Sequence, residues 1–396
     1  MRKIGNHILK PALLIAGYLL SPLLSRAYVK AAARRQRMMD VTNPIRIGHL
    51  CIEVDCYLKD EVMAGRPIKD VILSEAGTGF ANRHLVDAYY AQVFTVVEQH
   101  PVYRFAKRHG DPLHLLTPMH EYAEAMNKTC RAYETYAKWG NRAPLFELTG
   151  DDQTHLDEYL RKAGMRDGDW YVALHARGAG YSPNDEHMHT ARNVDIESYE
   201  LAIEEIIGRG GWCVRMGDAT MAPIKPHQQL IDYALSAEKS DRLDVCLAAG
   251  CRFFLGSASG LVNLATLFGR PAALTNLILP ISGAYPLCWH DISIPKKVRG
   301  IDGRDISIRE MMLSDYANYR YPELLQKAGI VPVSNTPEEI RDLVAEMLDR
   351  LDGCFVETKA DKKRQADFRA LFHEGHYSYR SCGNVGRDFL RQNFQE

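Results

Sequence analysis

Apolar positions along this chain follow two periods, and the change from one to the other divides it into repeated strand and helix units. Short apolar or β-branched runs lie at residues 45–54, 71–77 and 94–99, and again at 170–178, 211–217 and 252–257. Each has the length of a buried strand. Between the later runs the spacing turns helical, at residues 196–207 and around 230–237. Leu261, Leu264, Ala265 and Phe268 then recur on a helical face before Gly269 and Pro271 stop it. Strands alternating with helices predict βαβ units and parallel sheets. The run at 45–54 is expected to be a strand followed by a turn.

Residues 141–170 read as a join, because a loop with Pro and Gly passes through a charged helical stretch into a second strand. The expected organisation is an N-terminal segment at 1–40, a first Rossmann-like domain at 41–150 and a second at 151–335. Residues 336–396 read as helices expected to return and brace the first domain. Thr336 and Glu339 form a capping box around Pro337 for a helix with Ile340, Leu343, Val344, Met347 and Leu348 on its apolar face. The fold class is therefore α/β, with two doubly wound domains facing a cleft, and ligands in such sheets sit at the carboxyl ends of the strands.

Length and composition agree with two folded domains. The chain has 396 residues, 46% of them hydrophobic and 25% charged, which is the balance of a folded protein rather than a disordered one. Charge alters the picture only at the start. Residues 1–37 hold Arg2, Lys3, Lys10, Arg26, Lys30, Arg34, Arg35 and Arg37 and no acidic residue, while the whole chain carries −1. Within that basic segment, residues 11–24 are apolar but shorter than the roughly 20 residues a bilayer span needs. They are expected to form a retained, in-plane anchor on the cytoplasmic face of the inner membrane, peripheral rather than spanning. A cleaved secretory signal or a loosely packed helix is the alternative. No nucleic-acid partner is expected.

The nine cysteines fit a reducing compartment, since their number is odd and no C-x-x-C occurs. The C-x₄-C pairs Cys51/Cys56 and Cys246/Cys251 lie in apolar stretches and no zinc site is expected. His187 and His189 form an H-x-H without a third ligand at a known spacing. No D-x-D stands in a suitable place, so no metal is called for.

The strand ends collect the remaining chemistry. His175 and Arg177 place alternate side chains on one face where the 170–178 run ends. Arg215 and Gly217 close the next run, and Ser257, Ser259 and Gly260 follow the third. A helix beginning there would aim backbone N–H groups at phosphate oxygens. Arg177 and Arg215 are candidates to offset diphosphate charge, because the guanidinium is a planar, permanently charged fork. His175 is placed to hydrogen-bond a phosphate or a sugar hydroxyl. Asn193, at the start of the 196–207 helix, Asp244, for a ribose hydroxyl, and Asn276, for a base pocket, complete the set. The plainer alternatives are an ion pair of Arg177 that orders its loop, a structural His175, and a surface or helix-capping Asp244. In the first domain Glu53 or Asp55 is the favoured general base, with Glu53 put first, His49 and Glu75 as other proton acceptors and the polar loop at 117–120 as a candidate acceptor contact; surface or capping roles are the plainer alternative.

Taken together, residues 192–203, 210–218, 231–234, 239–245 and 251–261 resemble a family of bacterial surface-carbohydrate glycosyltransferases and, more distantly, fucosyltransferases of GT-B fold. The resemblance covers residues 45–285 and is strongest over 170–276. It implies a GT-B-like fold and an H-x-R strand end that binds the donor diphosphate, here His175 and Arg177. It also implies an acidic residue, a hydrophobic strand and a small hydroxyl turn, here Asp244, Phe253 and Phe254, and Ser257 and Ser259. The chain departs from the fucosyltransferase pattern after Arg177, where Gly-Ala-Gly follows. Bacterial heptosyltransferases share a related turn and a helix ending in Gly-x-Pro, here Gly269 to Pro271. The implied activity is metal-independent, inverting sugar transfer from a nucleotide diphosphate sugar to a glycan or lipid-linked acceptor, with no cofactor. The alternatives are a non-catalytic nucleotide-sugar or glycan-binding subunit and a nucleotide-sugar epimerase. A dehydrogenase is disfavoured, since no G-x-G-x-x-G follows the first strand.

Overall fold

The computed structural model describes every residue except 1–21, 35, 69–70, 76–78, 124–128, 181–185, 279–285, 320 and 395–396. Two units, Met1–Ala123 and Glu124–Glu396, separate by their internal contacts. Each has its own parallel sheet.

In the first unit, β1 (Arg37–Asp40), β2 (Val71–Glu75), β3 (Thr95–Glu98) and β4 (Leu116–Pro118) pair in the order β3-β2-β1-β4, all parallel. The inner strand β1 has only four residues. Met38 pairs with Ile72 on one side and Leu116 on the other, and Met38 and Met39 are buried. The strand therefore begins inside the basic segment expected to sit on a membrane. Helix α1 (Pro22–Ala33), also from that segment, buries Tyr28 and Ala31 against Val102, Phe105 and Ala106 of the Pro101–His109 helix. The apolar stretch at 11–21 lies outside the described residues. No described helix is long and apolar enough to cross a membrane.

The run expected as a strand at 45–54 is instead the start of a helix, α2 (Ile47–Met63). Every residue from Leu50 to Lys59 is buried. A helix enclosed on all sides loses the polar face that normally reveals its period, so its apolar run imitates a buried strand. Its buried charges are answered locally, with Lys59 donating to Asp55 one turn away.

The second unit carries β5 (Tyr171–His175), β6 (Trp212–Arg215), β7 (Leu230–Ile231), β8 (Phe253–Ser257), β9 (Ala272–Leu277) and β10 (Ile292–Pro295). A small antiparallel sheet of β11 (Lys297–Gly300), β12 (Asp305–Ile306) and β13 (Ile330–Val333) follows, and β14 (Asn384–Val385) returns to the main sheet. The main order is β14-β10-β9-β8-β5-β6-β7, with every pairing parallel. The chain winds outward from β5 through β6 to β7, crosses back, and winds the other way through β8, β9 and β10. This is the doubly wound order, and its switch point lies between β5 and β8. All residues of β5, β8 and β9 are buried, as parallel strands covered on both faces should be.

Ile203 and Ile206 of α3 (Glu200–Gly208) and Leu343, Val344 and Met347 of α5 (Pro337–Leu351) join one core with Val172, Phe253 and Ile292, and α4 (Asp241–Gly250) leads into β8. The capping box of Thr336 and Glu339 is present as expected. The C-terminal helices, expected to return to the first domain, add Phe368, Phe389 and Leu390 to this same core of the second unit. The stretch around 230–237 is an edge strand and a single 3₁₀ turn (Tyr233–Leu235) rather than a helix.

Asn276 is turned inward at the end of β9, with no exposed surface and a left-handed φ of 55°. Its N–H donates to Asn335 Oδ1 at 2.6 Å, and the N–H of Asn335 donates to Asn276 Oδ1 at 2.9 Å. The expected base-pocket residue thus ties β9 to the cap of α5. Asn tolerates this backbone because its short amide bonds locally.

Candidate functional site

The carboxyl ends of β6, β5 and β8 lie side by side and bring Arg215 to Gly217, His175 to Arg177 and Ser257 to Gly260 along one edge. Register fixes the alignment. Leu174 pairs with Arg215 and His175 with Gly256. A Cβ on Gly256 would run into the His175 carbonyl oxygen, so only glycine permits this approach of the two strands. Just beyond, the Arg177 N–H donates to Ser257 Oγ at 3.0 Å, which joins the two strand ends at the switch point. Ser257 still has its own hydroxyl proton to give. Ser259 Oγ accepts the N–H of Leu261 at 3.3 Å, and Gly260 is the N-cap of the Leu261–Leu267 helix.

His175 is buried, and its Nδ1 lies 3.0 Å from the Met216 carbonyl oxygen. A carbonyl only accepts, so Nδ1 carries the proton and Nε2 keeps a lone pair. Burial pushes the pKa down to about 4. A neutral ring whose remaining nitrogen accepts fits a hydroxyl and not a phosphate oxygen.

Arg177 donates through Nη1 to Asn193 Oδ1 and to the His189 carbonyl, and through Nη2 to Glu186 Oε2 at 3.1 Å. Asn193 Nδ2 donates to the other Glu186 oxygen at 2.5 Å. The three side chains close a ring. Burial pushes the Glu186 carboxyl up, but hydrogen bonds from Asn193 and Arg177 outweigh it and the net direction is down. Arg192 holds this loop over the β8 turn, with Nε and Nη2 donating to the Ala258 carbonyl at 3.0 and 2.7 Å.

Four of the functional candidates seen here had no signal of their own in the sequence. Glu186, the partner of Arg177, opens the short Glu186–His189 helix, and Arg192, the clamp, ends the 3₁₀ turn that follows it. Asp232 accepts from Arg215 at 3.2 and 3.1 Å. Lys296 follows β10 directly, is 5% exposed, and has its Nζ 3.5 Å from the Asn193 carbonyl oxygen. No described carboxylate pairs with Lys296, and burial pushes its pKa down. It lines an open pocket of about 430 Å³ together with Thr190, Gln326 and Ile330. Asn193 therefore touches both cations, one through its side chain and one through its backbone.

Arg215 and Gly217 are used differently from the expectation. Arg215 is 3% exposed and spends its guanidinium on Asp232 and on the Ala222 carbonyl, 2.7 Å away. The space beside Gly217 is filled by the Met221 thioether. Both hold the loop after β6 in place. Asp244 lies in the first turn of α4 and pairs with Lys239 at 2.6 Å. Burial pushes its carboxyl up, with Lys239 opposing.

Glu53 belongs to the first unit, on α2 rather than at a strand end. Its Oε2 accepts the N–H of Thr42 and its Oε1 meets His49 Nδ1, both at 2.7 Å. Burial pushes the carboxyl up, against the opposing His49 hydrogen bond. Thr42 follows the carboxyl end of β1, so Glu53 stands at the switch point of its own sheet, between β1 and β4. The Glu75 side chain lies outside the described residues.

No protein-family model matches the sequence, and no curated protein matches it. Among solved structures the chain is similar to the E. coli ADP-heptose LPS heptosyltransferase II, at 15% identity over 80% of this chain and 98% of that one, with a TM-score of 0.46. A glycosyl transferase family 9 protein from Veillonella parvula is similar at 12% identity, over 65% and 84% of the two chains, with a TM-score of 0.38. The E. coli heptosyltransferase WaaC with ADP-2-deoxy-2-fluoro heptose is similar at 12% identity, over 74% and 99%, with a TM-score of 0.34. None of these three is a fucosyltransferase. Likeness this distant carries nothing about donor, acceptor or site.

The buried, neutral His175 has a measurable consequence. Its folded pKa of about 4 lies below the roughly 6.5 of an unfolded histidine, so the unfolded chain binds the extra proton between those values. Stability from this group is complete above about pH 6.5 and falls as pH drops toward 4, by at most about 1.4 kcal/mol per pH unit. His376, also pushed down to about 4 by burial, contributes a second such slope. Urea unfolding of His175→Gln across this range is expected to show a shallower pH dependence than the parent. An unchanged slope would mean that His175 is not held neutral.

Proposed function

We propose that this chain is a glycosyltransferase that moves a sugar from a nucleotide diphosphate donor to a glycan or lipid-linked acceptor in bacterial surface polysaccharide synthesis. The observation that carries it is the switch point between β5 and β8. There a hydroxyl acceptor (His175), two hydroxyls (Ser257 and Ser259) and the buried Arg177 lie at the strand edge where doubly wound sheets bind ligands, and a second buried cation, Lys296 after β10, is linked to Arg177 through Asn193.

The cations suit a diphosphate. Arg177 is shared with Glu186, a single negative charge, and Lys296 has no carboxylate partner among the described residues. A diphosphate, with more charge and more acceptor oxygens, competes for Arg177 and answers Lys296 at once. Ser257 and Ser259 donate to the same oxygens, while His175 Nε2 accepts from a ribose or sugar hydroxyl. As the bond to the sugar breaks, negative charge grows on the leaving diphosphate, and these fixed groups stabilise it without a metal ion. Glu53 is the general base we favour for the acceptor hydroxyl in an inverting displacement; its carboxyl is fully buried and held by Thr42 and His49, so this role requires those contacts to open. Calorimetry with ADP, GDP and UDP is expected to find one that binds, and Arg177→Ala to weaken it roughly tenfold to a hundredfold, the worth of one charge-assisted hydrogen bond. Equal affinity would remove Arg177 from the site. With donor and acceptor supplied, transfer is expected; binding without turnover would favour a non-catalytic subunit, and sugar interconversion without acceptor an epimerase.

The basic and apolar start of the chain supports a peripheral position on the cytoplasmic face of the membrane, where a lipid-linked acceptor would be at hand. Deleting residues 2–21 leaves β1 intact, whereas a cut at residue 40 would remove it. The full chain is expected to float with anionic vesicles and the shortened one to stay behind. Equal flotation would contradict the anchor.

A further inference from the structure

The second sheet carries another cluster at its opposite, amino-terminal edge. Cys288, His290 and Asp291 stand directly before β10, and a ligand atom from each lies within 4.8 Å of the other two. Asp291 is 2% exposed. Its Oδ1 accepts the N–H of Ala272, the first residue of β9, and its Oδ2 the N–H of Cys288, both at 2.9 Å. Its ionic neighbour is His290, whose Nε2 lies 3.6 Å from Oδ1. That Nε2 is buried and has no hydrogen-bond partner among the described residues. Cys288 is not in a disulfide.

A buried ring nitrogen left without a partner is uncommon in a folded protein and calls for an explanation. Here it faces a carboxylate oxygen and a thiol, the nitrogen, oxygen and sulfur donors that zinc accepts together. The two backbone N–H groups on Asp291 do what supporting contacts do around a metal, fixing the carboxylate so that it presents an oxygen. We propose that Cys288, His290 and Asp291 bind a zinc-class divalent ion, with a fourth position open to water. The ion pins the segment before β10 to the start of β9. It sits at the other end of the strands from His175 and Arg177, so it braces the sheet and takes no part in sugar transfer. The proposal stands independently of that activity.

The full chain, stripped with a chelator and titrated with Co²⁺, is expected to develop a thiolate-to-cobalt charge-transfer band that Zn²⁺ abolishes. Cys288→Ala and His290→Ala are each expected to lose the band while keeping the parent far-ultraviolet circular dichroism. Cys354→Ala, an exposed cysteine outside the cluster, is expected to retain it. Should stripping unfold the chain, elemental analysis of the protein as purified replaces the titration, with stoichiometric zinc expected in the parent and loss in both variants. A folded parent with neither band nor zinc, or a band that survives Cys288→Ala, overturns the site.

Discussion

The pairing of β5 with β8 is the constraint on which the second unit depends. These strands are far apart in sequence, and their contact is where the winding of the sheet changes direction. The sheet can close there only because Gly256 lacks a Cβ opposite the His175 carbonyl. Past that point the strands part. The Arg177 N–H then bonds to Ser257 Oγ and joins the two strand ends. Everything assigned to the site hangs from this edge: His175 is oriented by the end of β6, the 186–193 loop is seated by Arg192 on the β8 turn, and Lys296 reaches Asn193 from the end of β10.

Charge is distributed unevenly along that edge, and the unevenness has a function. Arg215 is enclosed by Asp232 and a carbonyl, which makes it a brace for its loop. Arg177 is partnered by groups from a loop, through contacts a stronger anion could replace. Lys296 is buried with no carboxylate paired to it among the described residues, and burial pushes its pKa down. His175, locked neutral beside them, gives a ligand a place for a hydroxyl.

Much of this was legible in the sequence, and the reasons for the rest are physical. β5, β6 and β8 were readable because a parallel strand covered on both faces is a short apolar run, and the polar residues that end it mark the functional edge. The capping box at Thr336 was readable because its partners are three residues apart. β1 was hidden because four residues, Arg37–Asp40, carry almost no pattern and sit in a basic segment. Helix α2 was mistaken because burial on all sides erased its period. Long-range partners could not be read at all: the Glu186 hold on Arg177, the Asp232 hold on Arg215 and the Asn276 to Asn335 exchange span from 9 to 59 positions. Local spacing says where a side chain starts and not what it meets.

The central claim, that a diphosphate binds at the switch point of the second unit, is tested most directly by a crystal structure with the nucleoside diphosphate that calorimetry selects. The account predicts phosphate oxygens against Arg177, Lys296 and the Ser257 and Ser259 hydroxyls, with Glu186 displaced from the guanidinium. Phosphates bound elsewhere, with the Arg177 to Glu186 pair intact, would contradict it.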